Sequence, residues 1–140
     1  MATVHFISNK IKFKLKNPRK VSAWIKNVVK QEGASTEEIN FIFCSDAYLL
    51  AINEGYLKHD SLTDIITFNY SENPSVVEGE IYVSIDRVKE NATKFHALFE
   101  DELSRVMIHG VLHLLGYNDK THAEKTRMRK KEEACLSLRK

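Results

Sequence analysis

His109 and His113 stand four residues apart in the segment His109-Gly-Val-Leu-His113-Leu-Leu-Gly116-Tyr-Asn-Asp119. On an α-helix this spacing puts both imidazoles on one face, one turn apart, where they can close on a single ion. Gly116 falls where such a helix is expected to end. Asp119 lies past that turn, where the returning chain can offer a third ligand. Two histidines and a carboxylate, with a fourth position left open, are a usual way to hold a catalytic metal. The expected cofactor is one divalent ion, zinc, and the expected attacking group is a metal-bound water. His122 is the alternative third ligand. Thr121 and Glu124 form a Thr-x-x-Glu capping box, which puts His122 in the first turn of the next helix, facing solvent, so Asp119 is preferred. A lone histidine on an apolar face is more often a satisfied core residue. The pair, the glycine and the carboxylate together favour a metal.

One absence is informative. Zinc peptidases of the H-E-x-x-H type carry their general base directly after the first histidine. That position is Gly110 here, so a base has to come from another segment.

The elements that must position these groups follow from periodicity and turn chemistry. Residues 3–8 and 10–16 read as strands joined at Ser8-Asn9. Asn17 reads as a helix cap before Pro18, opening a helix to Gln31 with Val21, Trp24, Ile25, Val28 and Val29 on one face. Residues 38–44 read as a buried strand, and 45–55 as a second helix. Residues 64–70 and 79–85 are strands, and Asp86 is expected to cap a helix through residue 97. A long helix over 99–115 carries the histidines, with Leu103, Val106, Gly110, His113 and Leu114 along its apolar stripe. The last helix covers 121–138. The expected fold is α+β: one metal-dependent hydrolase domain over residues 1–140, with a mixed sheet of four to five strands packed with about five helices.

Charge is unevenly spread. Residues 1–31 hold eight Lys or Arg and no Asp or Glu, leaving thirteen cations against nineteen carboxylates, net −6, in the remainder. Lys10, Lys12, Lys14 and Lys16 alternate with Ile11, Phe13 and Leu15. An ammonium row on one side of an extended segment suits the backbone of a polyanion such as RNA. The competing reading is an edge strand guarded from aggregation by its lysines. Cys44 and Cys135 lie far apart without metal-ligand spacing, so a reducing cytoplasm is expected. The N-terminus has no signal-peptide architecture, and no run reaches the roughly 18 apolar residues of a membrane span, so no membrane partner is expected.

The motif His109-Gly-Val-Leu-His113-Leu-Leu-Gly116-Tyr117 resembles the signature of the YbeY endoribonucleases. Thr63-Asp64-Ile-Ile-Thr-Phe68 is similar to that family's Thr-Asp-Val-Leu-Ser-Phe strand, and Gly79-Glu80-Ile81 to its Gly-Asp-Ile segment. Asn53, Tyr56 and Asp60 match the residues leading into the Thr-Asp strand. The resemblance implies a bacterial, metal-dependent enzyme cleaving single-stranded RNA in ribosomal RNA maturation and ribosome quality control, with ribosomal RNA or a ribosomal subunit as partner. It implies substrate positioning by Thr63 and Asp64. The family usually continues Gly-Tyr-Asp-His and uses that histidine as third ligand. Asn118 and Asp119 stand there, which passes the role to Asp119. The family also usually has an arginine where this chain has Leu57; Lys58 and His59 are candidates to replace its charge, and Glu80 is a further candidate helper. Two other functions compete: a zinc metallopeptidase or amidohydrolase, and a ribosome-associated binding protein with a structural metal closed by His122 or Glu80.

Overall fold

A computed structural model describes residues 2–56 and 63–139. Their elements are β1 (Thr3–Ser8), α1 (Pro18–Gln31), β2 (Ser35–Cys44), α2 (Asp46–Tyr56), β3 (Ile65–Asn69), β4 (Val76–Ser84), α3 (Ile85–Lys94), α4 (Phe99–Leu114) and α5 (His122–Ser137). The strands form one sheet in the order β1-β2-β4-β3. β1, β2 and β4 run parallel, and β3 is antiparallel to β4 at one edge. The expected α+β architecture is therefore present, with four strands and five helices among the described residues. No helix among them is long and apolar enough to cross a membrane.

Two expectations about local structure are corrected. Residues 10–16 are not a strand. Lys10 takes a positive φ of 58°, which turns the chain away from the β1 edge. The Ser8 hydroxyl then donates to the Phe13 carbonyl at 2.5 Å. The apolar–lysine alternation survives without strand pairing. Ile11, Phe13 and Leu15 pack on the core, Phe13 meets the rings of Phe43 and Phe99, and the four lysines stay exposed. The caps also differ. Asn17 is left-handed and makes no side-chain cap. The α3 cap is Ser84, whose hydroxyl accepts from the Arg87 N–H. Asp86 instead accepts from the Asp46 N–H at the start of α2.

The core lies between the sheet and helices α1, α3, α4 and α5, around Phe41, Phe43, Ile81, Val83, Met107 and Leu112. Both cysteines are buried and free. Along β4, Val77, Ile81 and Val83 point into this core, while Glu78, Glu80 and Tyr82 point to the other face. α4 crosses the core face with Gly110 over Ile81. A Cβ at residue 110 would lie 2.8 Å from Ile81 Cγ2, well inside van der Waals contact. Ile81 is fully buried in the middle of the sheet and has little room to retreat. Gly110→Ala gains helix propensity but overpacks this contact, so a net destabilisation of about 1–2 kcal/mol is expected. A lowered urea midpoint with an unchanged denaturant slope would register it.

Candidate metal centre

α4 ends in two hydrogen bonds of Schellman type, from the Gly116 N–H to the His113 carbonyl and from the Tyr117 N–H to the Leu112 carbonyl, both 3.0 Å. Gly116 sits at φ 104°, in the left-handed region a helix terminus of this kind requires. The chain reverses there. α5 then opens with the expected capping box, Thr121 and Glu124 bonding each other's backbone N–H groups. Between these two fixed ends, Asp119 swings back toward α4.

The result is a compact set of donors. His109 and His113 meet edge to face, with Nε2 atoms 3.0 Å apart. Asp119 Oδ2 lies 3.1 Å from His109 Nε2 and 3.3 Å from His113 Nε2. A tetrahedral ion with bonds of roughly 2.0–2.1 Å would separate its ligand atoms by about 3.3 Å. The triangle therefore matches a small divalent ion in size as well as in chemistry. Among the described residues, His109, His113 and Asp119 are the group able to hold a metal.

The far side of each ring decides which nitrogen is bare. His113 Nδ1 is 3.0 Å from the Tyr117 carbonyl. A carbonyl only accepts, so the hydrogen is on Nδ1 and the Nε2 lone pair faces Asp119. His109 Nδ1 donates to Glu132 Oε2 at 2.5 Å. Glu132 is only 3% exposed and also accepts from Arg105 Nη1 at 3.1 Å. Arg105 in turn bonds both oxygens of buried Glu102. Burial by itself raises the Glu132 pKa, but the bonds from His109 and Arg105 outweigh it and hold the carboxyl below 4.5. Burial likewise opposes charge on His109. Glu132 overrides it, Asp119 and Asp64 add to the same field, and the His109 pKa is raised above 6.5. A carboxylate behind a ligating histidine is the arrangement that fixes ring orientation and increases ligand basicity.

The remaining predicted residues are placed as follows. His122 is exposed in the first turn of α5 and is not in the donor group. Glu80 lies on the sheet face turned away from α4 and accepts from the Tyr70 and Tyr82 hydroxyls, so it does not meet the histidines. Asp64 is half-buried just before β3, where its carbonyl accepts from the Ser84 N–H. The Thr63 hydroxyl donates to the Ile65 carbonyl. Leu57, Lys58 and His59 lie outside the described residues. Lys10, Lys12, Lys14 and Lys16 are not beside the histidines. Lys16 pairs with Glu100 at the opposite end of α4, roughly 13 Å along the helix axis from His109.

Glu132 and the Tyr117 carbonyl were not anticipated from sequence. Glu132 had a signal: with Met128 and Cys135 it forms the buried stripe of α5, and a carboxylate on such a stripe needs a partner. The carbonyl carried none, since every residue has one.

Two outcomes follow. Glu132→Gln keeps the shape of the side chain and removes its charge. It should weaken metal binding by about 10–100-fold in a chelator competition while leaving secondary structure intact. Metal binding should also depend on pH with a defined sign. The raised His109 pKa stabilises the metal-free fold below the unfolded value of 6.5, and this contribution disappears as pH rises through the folded pKa. The ion has to displace that proton, so stabilisation by zinc should be larger at about pH 8 than at about pH 6 in thermal unfolding with and without the metal.

Comparison with known proteins identifies the family of the chain. A family profile described as Endoribonuclease YbeY matches residues 4–139. The chain is 53% identical to the Endoribonuclease YbeY of Amoebophilus asiaticus over 131 residues, covering 94% of this chain and 89% of that protein. It is 49% identical to that of Cytophaga hutchinsonii over 138 residues, covering 99% and 96%. The solution structure of TM1509 from Thermotoga maritima superposes with a TM-score of 0.68 at 28% identity, covering 97% of this chain and 88% of that one. A match this long, running through both histidines and the turn beyond them, means that the chain belongs to the YbeY endoribonuclease family.

Proposed function

We propose that this protein is a zinc-dependent endoribonuclease that cuts single-stranded RNA in the cytoplasm, in ribosomal RNA maturation and ribosome quality control. The observation that carries the reading is the convergence of the His109 and His113 Nε2 atoms and the Asp119 carboxylate at tetrahedral spacing, in a chain of the endoribonuclease family. No fourth His, Cys, Asp or Glu donor joins them among the described residues, and a catalytic ion keeps its fourth position for substrate or solvent. A divalent ion supplies Lewis acidity toward a phosphoryl oxygen and lowers the pKa of water.

The chain's own groups divide the remaining work. Glu132 holds the His109 ring and its tautomer, and the Tyr117 carbonyl does the same for His113. Asp64, whose charge reaches His109, and Thr63 are assigned the orientation of the substrate backbone at the start of β3. The exposed lysines at the other end of α4 supply sequence-independent phosphate contacts.

The peptidase reading loses ground because residue 110 faces Ile81 in the sheet; a glutamate side chain has no room there to act as base. The structural-metal reading loses ground because Glu80 and His122, its two candidate fourth ligands, stand apart from the donor group.

Purified His113→Ala should keep its circular dichroism and lose metal-dependent cleavage of a single-stranded RNA by at least about 100-fold. Chelation of the wild-type chain should do the same, with recovery on adding zinc. Undiminished cleavage by the variant would overturn the assignment, and metal-dependent cleavage of a peptide library instead of RNA would replace it with the peptidase reading.

A further inference from the structure

The lysine row borders a cleft of about 390 Å³ that the metal centre does not use. It lies between the 13–24 segment and the first half of α4. Its walls are Phe13, Leu15, Val21, Trp24, Leu103 and Met107. Ser104 and Met107 enter it from a side of α4 about 140–160° round the axis from His109, so the cleft and the metal centre face different ways. Its size falls within the range of small-molecule sites.

Two features say what it would take. First, Ser104 lines the cleft and is 8% exposed, yet among the described residues its hydroxyl has no hydrogen-bond partner. The oxygen opens onto the cleft, where it can bond a polar group of a ligand. A plain hydrocarbon chain would leave it unmet. Second, the rim is basic. Lys16 is paired with Glu100 and Arg139 with Asp101. Lys14 and Lys20 also line the cleft, are exposed, and have no carboxylate within ion-pair distance among the described residues. The ligand therefore has a flat or apolar body, a hydrogen-bonding edge at its deep end and an anionic group at the mouth.

We propose that this cleft binds a nucleotide, with the base between the apolar walls, its edge on Ser104 Oγ, and the phosphate on Lys14 and Lys20. The choice of a nucleotide among anions of this shape rests on the RNA-cleaving function proposed above; the cleft and its chemistry do not. The same chemistry is offered by a free mononucleotide and by the phosphorylated end of an RNA strand.

Trp24, the only tryptophan of the chain, forms part of the wall. Its indole N–H is tied to the Cys135 carbonyl at 2.8 Å, so the ring is fixed and its emission reports on the cleft. The metal-free full chain should show a saturable change in Trp24 emission on titration with AMP, and at least about tenfold weaker binding of adenosine. Lys14→Glu/Lys20→Glu should lose AMP binding while unfolding at the same temperature as wild type. Ser104→Ala should weaken it severalfold, and Ser104→Leu should fill the cleft and abolish it. A short single-stranded RNA with a 5′-phosphate, compared with the same strand lacking it, separates the two sources: response to the phosphorylated strand without response to AMP assigns the cleft to an RNA end. No saturable change with either, or undiminished binding in the double lysine variant, overturns the proposal. RNA cleavage by the wild-type chain with zinc, set beside its AMP titration, reports the metal centre separately, so failure of one assignment leaves the other standing.

Discussion

α4 can lie flat on β4 only because position 110 carries no side chain to meet Ile81. This contact sets the height and rotation of the helix over the sheet, and rotation decides where the next residue points. With Gly110 turned into the sheet, His109 and His113 are turned to the side of the helix, against α5 and the loop before it. A larger residue would rotate or lift α4 and move both rings together. The same glycine that looked like a missing catalytic glutamate is thus the reason the histidines stand where they do.

The polar side of α4 is held as firmly as the apolar side. Glu102, Arg105, His109 and Glu132 form a run of charges across the α4–α5 contact, with both glutamates buried. Burying two carboxylates is unfavourable unless each is paired. Here the guanidinium serves both, and the imidazole satisfies the oxygen it leaves free. The network joins α5 to α4 and passes on to the donor atom at the centre. On the other side, Tyr117 is clamped through its hydroxyl to Glu32, which Lys131 also holds, and two cations lie over its ring. One residue thereby fixes the turn and presents its carbonyl to His113.

Much of this was legible in the residues. The i, i+4 histidines, the glycine at the helix end and the capping box at Thr121 each have local causes, and each appears where the spacing puts it. The choice of Asp119 over His122 followed from the capping box, from the place of Asp119 in the turn after the histidines, and from the resemblance to the family motif. The failures share a physical origin. Lys10–Lys16 alternates as a strand does, but alternation reports only which side is buried; pairing needs a neighbouring strand, and the positive φ at Lys10 carries the chain away from one. Asn17 and Asp86 have the right side chains for caps, yet tertiary contacts took other partners. Glu132 was hidden because a charged residue within a charged run resembles a solvated surface until α5 is laid against α4.

The burial of the two cysteines bears on how this protein acquires an ion. Thiolate is a strong ligand for zinc, and an unfolded chain exposes Cys44, Cys135 and six histidines to whatever metal is present. Folding withdraws both thiols. Burial pushes Cys44 up to about 12, with Asp86 and Asp46 adding to the effect, and raises Cys135 as well. Neither thiol is then available as a ligand. The nascent chain and the finished fold therefore compete for the same ion through different atoms, and metal held by the cysteines has to be given up before the core can close. In the folded chain the softer thiol ligands lie inside the core, and the donors left grouped toward the surface are the nitrogen and oxygen atoms of His109, His113 and Asp119.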